Sequence, residues 1–154
     1  MVVGYRKHWK LPIGYFLVKG VKGGVLSGIV RACLERASEV GIKIWTLTMD
    51  GTGHNIAAFS YLGANVLPVN PQALNSGFEH PKEPHQISAV LDPPHMIKLI
   101  RSTLADFKEF VWEGKGNVKW EYITRLHSIQ QEHGLRLGNK LTEAHVTSIT
   151  RETK

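Results

Sequence analysis

The feature that most limits the fold of this chain is a single change of period before Asp50. Leu26, Ile29, Val30, Cys33, Leu34, Ala37 and Val40 recur at helical spacing, and Gly41 supplies a stop. Residues 42–49 (Ile-Lys-Ile-Trp-Thr-Leu-Thr-Met) follow, β-branched and mostly apolar, which is strand composition. A strand reached through a helix pairs parallel with its neighbour and tends to be buried on both faces. The expected strand ends at Asp50-Gly51-Thr52-Gly53.

Other segments extend this frame. Residues 1–6 and 13–19 are short runs enriched in Tyr, Phe, Val and Ile, predicting a hairpin across Lys7-His8-Trp9-Lys10-Leu11-Pro12. Residues 54–62 predict a short helix closed by Gly63. Pro68, Pro71, Pro81 and Pro84 make 68–85 read as a long surface loop. Residues 87–91 predict a strand that leads into Asp92-Pro93-Pro94-His95. There Asp suits a helix cap and Pro the first turn of a helix carrying Met96, Ile97, Leu99, Ile100, Leu104 and Phe107. A further helix is expected from about 119 to 132, with Trp120, Ile123, Leu126 and Ile129 inward and Gly134 as its stop. Leu141 to His145 opens another. The expected fold is α/β: a mixed sheet with helices packed on it, in ribonuclease-H-like order without the first strand, then a helical segment.

Composition narrows the function classes. The 154 residues carry 19 Lys and Arg against 13 Asp and Glu, at 42% apolar content, which is ordinary for a globular chain. Eight Lys and Arg face three acids in residues 1–77, and eleven face ten in 78–154, so the first half is the one suited to a polyanion. One cysteine, Cys33, excludes a disulfide framework or a Cys-rich zinc module within these residues, and a reducing compartment is expected. No apolar run is long enough for a bilayer, and no signal-peptide pattern opens the chain.

Asp50 is the most informative acid. Ligand sites in open α/β sheets lie outside the carboxyl ends of the strands, and a carboxylate there is a hard-oxygen ligand suited to Mg²⁺. The plainer reading is an Asp that starts a turn or caps the next helix. Asp92 also ends a strand, so a neighbouring parallel strand would bring it towards Asp50, although capping alone accounts for it. Asp50, His54, Asp92 and His95 together would permit a hydrolytic metal site, but no HExxH pattern supports one, and most of the eight histidines are expected to be solvated. Lys7, Trp9 and Lys10 suit phosphate contact and base stacking, or simply a solvated hairpin tip. Cys33 and Met96 are expected in the core.

Four segments in order resemble the P-element-type DNA transposases, including those with a THAP domain. They are Trp9-Lys10-Leu11-Pro12-Ile13-Gly14-Tyr15-Phe16, Leu47-Thr48-Met49-Asp50-Gly51, Asp92-Pro93-Pro94-His95-Met96-Ile97-Lys98-Leu99-Ile100-Arg101, and Gly134-Leu135 through Asn139-Lys140-Leu141-Thr142 with His145. The resemblance implies a ribonuclease-H-like domain whose Asp, Asp, Glu set holds two Mg²⁺ ions for DNA strand cleavage and transfer, as a polynucleotidyl transferase. It also implies a GTP-binding helical insertion, a THAP zinc finger, nuclear location, DNA transposon ends as partner and a homo-oligomeric full-length parent. On this resemblance, residues 1–91 are part of the catalytic domain and 92–154 begin the insertion. Asp50 is the second catalytic Asp and a metal ligand, Asn139 and Lys140 are nucleotide contacts, and Lys7, Trp9 and Lys10 touch nucleic acid. The first Asp of such a set would precede Met1 and the Glu would follow Lys154, so this chain is expected to be inactive alone and, with an unpaired apolar strand edge at 42–49, poorly soluble. The alternative is a non-catalytic transposase-derived DNA- or GTP-binding module.

Overall fold

The computed structural model describes residues 1–134 and 141–147. It divides into two compact units, Met1–His95 and Met96–Lys154.

The first unit opens with β1 (Val2–Val3) and β2 (Lys10–Leu11), paired antiparallel with Val2 opposite Leu11. The expected hairpin forms, but its second strand lies where the connection was expected. Residues 13–19 form no strand and are exposed. Their apolar composition does not suffice, because a strand needs a neighbour whose N–H and C=O groups complete the ladder.

Helix α1 (Gly23–Glu39) is followed by β3 (Thr46–Met49) and α2 (Gly53–Leu62). The two helices touch through Gly23, where a Cβ would lie 2.6 Å from that of Ala57, so only glycine permits this approach. Ser27, Leu34 and Ala37 of α1 are buried, and Val30 packs against the core. Val40, expected on this face, falls past the helix end and is exposed, and Gly41 at φ 77° completes the stop.

The unit's principal sheet has the order β3-β5-β4, with β4 at Gly77–Glu79 and β5 at Gln86–Leu91. Strands β3 and β5 are parallel, in register from Thr46 opposite Ser88 to Met49 opposite Leu91. Strand β4 is antiparallel to β5, with Phe78 opposite Ile87. Two expectations are corrected here. The strand expected over 42–49 is only four residues long, and its burial alternates: Leu47 and Met49 pack on the core while Thr46 and Thr48 are exposed. As an outer strand of this sheet it behaves as half-buried strands do, not as an interior one. The stretch 68–85 is also not a plain loop, since it holds a 3₁₀ turn (Pro71–Ala73) and β4. Reciprocal backbone bonds between Asn65 and Asn75 (2.7 and 3.0 Å) lead the chain into β4, a pairing too short to leave a periodic signal.

Leu34, Phe59, Leu62, Ala64, Phe78, Ile87 and Ala89 form the core, with Phe59 and Ile87 fully buried. Cys33 and Met96 are half-buried, not core.

The division between the units falls inside the first turn of α3 (Pro93–Phe107). In the second unit, Lys108, at φ 67°, reverses the chain into an antiparallel hairpin of β6 (Glu109–Trp112) and β7 (Gly116–Lys119). Then come α4 (Glu121–His133), stopped by Gly134 at φ 63°, and α5 (Glu143–Thr147). The expected all-helical segment therefore contains a hairpin. Leu104, Ala105 and Trp120 form its apolar core, with Phe110 and Ile123 packed on them. Leu126 and Ile129 were expected inward but are exposed, and His127 is buried in their place. The inward line runs through Trp120, Ile123 and His127, one step off the purely apolar reading.

Phe59→Ala should lower the unfolding free energy by about 3–5 kcal/mol in a denaturant titration, the usual loss for a fully buried aromatic ring. A loss below about 1 kcal/mol would mean that this core is not formed.

Candidate functional site

Asp50 directly follows β3 and Asp92 directly follows β5. Because Met49 pairs in parallel register with Leu91, both carboxylates stand at the same end of adjacent strands, and the Asp92 N–H donates to the Met49 carbonyl at 2.8 Å. Neighbouring strands lie roughly 4.8 Å apart, so the two backbones are one strand spacing from each other. The parallel reading of the sequence thus brings this pair together.

The half-buried Asp50 carboxylate is tightly held. Its Oδ1 accepts from the Thr52 N–H at 3.0 Å and from Asn55 Nδ2 at 2.6 Å. The Thr52 amide, then the Thr52 hydroxyl, Asn55 and the nearby His95 keep the group below its ordinary carboxylate range, against the opposing effect of burial. The turn-starting role therefore exists: α2 has Thr52 as its N-cap without a side-chain cap bond, and Asp50 closes the turn before it. Asp92 stands directly before Pro93, the first residue of α3.

His95 acts on Asp50 electrostatically, while His54 is exposed in the first turn of α2. Among the described residues no three His, Cys, Asp or Glu side chains converge as a metal-holding group, so Asp50, His54, Asp92 and His95 do not assemble the hydrolytic site their spacing allowed. Asp50 and Asp92 offer the kind of donor a divalent cation takes, hard carboxylate oxygen, and Mg²⁺ commonly takes one or two carboxylates with water completing its shell.

Lys7, Trp9 and Lys10 sit on the β1–β2 hairpin, all exposed. The Gly4 N–H donates to the Trp9 carbonyl at 3.0 Å, and the indole folds back over Gly4, where any Cβ would collide with it. One edge of the ring is thereby fixed while 42% of the residue stays open to solvent. Asn139 and Lys140 lie outside the described residues.

Sequence reasoning missed a histidine pair. His80 and His127 are buried, and the His85 side chain is only 9% exposed, three exceptions to the expectation that most histidines are solvated. His80 Nδ1 accepts from the Lys82 and Glu83 amides at 3.1 and 3.0 Å. His85 stacks on His80 at 5.0 Å, and its Nε2 donates to the Ile44 carbonyl at 2.9 Å. Lys82 bridges to Glu39 at 2.9 Å, tying the β4–β5 connection to the end of α1. The prolines at 81 and 84 were the available signal of a shaped turn.

The depressed Asp50 has a definite sign in linkage. Its contribution to stability is fully present above the unfolded-state value near 4 and is lost as pH falls through the lower folded value. Glu83, lowered first by the Ser38 hydroxyl, and Glu39, lowered first by Lys82, act in the same direction. Asp50→Asn should flatten part of the stability loss below about pH 4 while keeping an acceptor for Thr52. Asp50→Ala should cost about 1 kcal/mol at neutral pH, as lost turn and cap acceptors do. Acid unfolding curves of the three proteins check this, and identical acid limbs for wild type and Asp50→Asn would contradict it.

Comparison with known proteins gives two successive matches. Residues 1–63 match the family model for the TNP-like RNase H N-terminal domain, and residues 94–154 that for the TNP-like GTP-binding insertion domain. The human protein named DNA transposase THAP9 is 26% identical over 133 residues, covering 86% of this chain and 14% of that protein. No solved structure matches. Among the described residues no helix is long and apolar enough to cross a membrane. By these two successive matches the chain carries a TNP-like RNase H N-terminal segment followed by a TNP-like GTP-binding insertion segment, and it is similar to part of a P-element-type transposase.

Proposed function

We propose that this chain is a segment of a cut-and-paste DNA transposase in which Asp50 is the second carboxylate of the catalytic set and a ligand for Mg²⁺. The observation that carries this reading is the position of an ionised, hydrogen-bonded carboxylate at the C-terminal end of a parallel strand, beside Asp92. When bound, the metal would supply a lowered pKa for the attacking water or 3′-hydroxyl and charge neutralisation at the phosphate. This chain's own contribution is to orient Asp50 and keep it charged. Two carboxylates and no converging third ligand among the described residues support the further reading that the chain does not cut DNA alone.

Residues 1–91 belong, in this reading, to the catalytic domain, and 92–154 begin the GTP-binding insertion, with Asn139 and Lys140 as nucleotide contacts. The exposed Lys7, Trp9 and Lys10 grip DNA by phosphate contact and stacking. The full-length parent acts in the nucleus as a THAP-type protein and assembles as a homo-oligomer on transposon ends. The second reading, a non-catalytic DNA-binding module, draws on the same exposed basic hairpin.

Duplex binding measured against salt separates these roles. With Mg²⁺ present the chain should bind without nicking, and Lys7→Ala with Lys10→Ala should reduce the slope of log affinity against log salt by about 2. Nicking by the chain alone, or a slope unchanged by the double substitution, would overturn the corresponding assignment.

A further inference from the structure

Helix α2 places an asparagine where its first turn gains little from one. Asn55 is the third residue of the helix (Gly53–Leu62), a position where an acidic side chain would favour the helix dipole and where asparagine is a weak helix former. Its side chain does not cap α2. It reaches back across the turn, and Nδ2 donates to Asp50 Oδ1 at 2.6 Å, the shortest side-chain bond in the first unit. The Thr52 N–H already closes the turn on the same oxygen at 3.0 Å. A second donor on one oxygen adds little to turn closure, but it does remove the rotation of the carboxylate about its Cβ–Cγ bond. With the Asp50 backbone fixed by β3 and the carboxylate plane fixed by Thr52 and Asn55, the group has one orientation at the strand end that it shares with Asp92.

We propose that Asn55 is a positioning residue that holds the Asp50 carboxylate in the orientation needed to receive a divalent cation. The inference rests on the reading of Asp50 as a metal ligand. Donors to the ligating group, one layer out from the ion, fix ligand geometry, and their loss typically costs on the order of 10–100-fold in metal affinity. Asn55 acts through Asp50 and does not itself need to touch metal or DNA.

The probe is Mn²⁺ alone, added below stoichiometry to the whole chain, with paramagnetic broadening of the Gly51, Thr52 and Gly53 amide signals as the readout. Wild type should show broadening at these amides that is absent in Asp50→Asn. Asn55→Leu, of similar size but without a donor, should need about tenfold more Mn²⁺ for the same broadening. Asn55→Ala should behave alike. In both variants unshifted Phe59 and Ile87 signals confirm an intact core. If the Asn55 variants lower the unfolding midpoint yet broaden as wild type does, Asn55 is a turn element only, and the proposal falls while the role of Asp50 stands. If wild-type broadening does not depend on Asp50, the metal reading fails and the proposal fails with it.

Discussion

Parallel pairing of β3 with β5 is the constraint on which the rest of the first unit depends. Register between Met49 and Leu91 decides that Asp50 and Asp92 leave the sheet at the same end. A one-residue slip of β3 would turn Leu47 and Met49 away from Phe59 and Ile87 and send the Asp50 carboxylate to the other face from Asp92. The register is enforced by burial, since Ile87 and Ala89 on β5 and the half-buried Leu47 and Met49 on β3 all pack into one core. The position of the chemistry and the stability of the sheet are thus consequences of the same contacts.

Helix α2 links that sheet to the candidate site. Its last turn anchors the core through Phe59 and Leu62, while its first turn supplies the Thr52 and Asn55 donors to Asp50. A helix locked at one end by two buried side chains delivers its other end with little freedom, so donors are presented to the carboxylate with their conformational entropy already lost. On the opposite margin, the turn between β4 and β5 is fastened to α1 and to the approach of β3 by His80, His85 and Lys82. Polar side chains rather than apolar ones close the unit there.

Much of this frame was legible in the sequence because it rests on period and on strong stops. The helix before Gly41, the strand ending at Asp50, the helix stopped by Gly63 and the strand ending before Asp92 each carry several residues of pattern. What escaped was fixed by few residues or by distant partners. Strands β2 and β4 have two and three residues, too short for alternation to register, and the β6–β7 hairpin depends on Lys108 adopting a left-handed backbone that composition does not announce. Residues 13–19 carry strand composition without a partner strand among the described residues. At the site, Asp50 and its strand end were visible, whereas Asn55 was not, because a bond spanning five positions follows from the geometry of one turn. The segment resemblance gave the family, and the two family matches agree with it.

The central claim, that Asp50 is an acidic ligand in DNA strand cleavage, is tested most directly by incision of transposon-end DNA by a polypeptide in which this segment is extended in frame on both sides. Wild-type extended protein should nick in Mg²⁺, and Asp50→Asn should abolish nicking while leaving DNA binding and folding intact. Incision retained at the wild-type rate by Asp50→Asn would contradict the account.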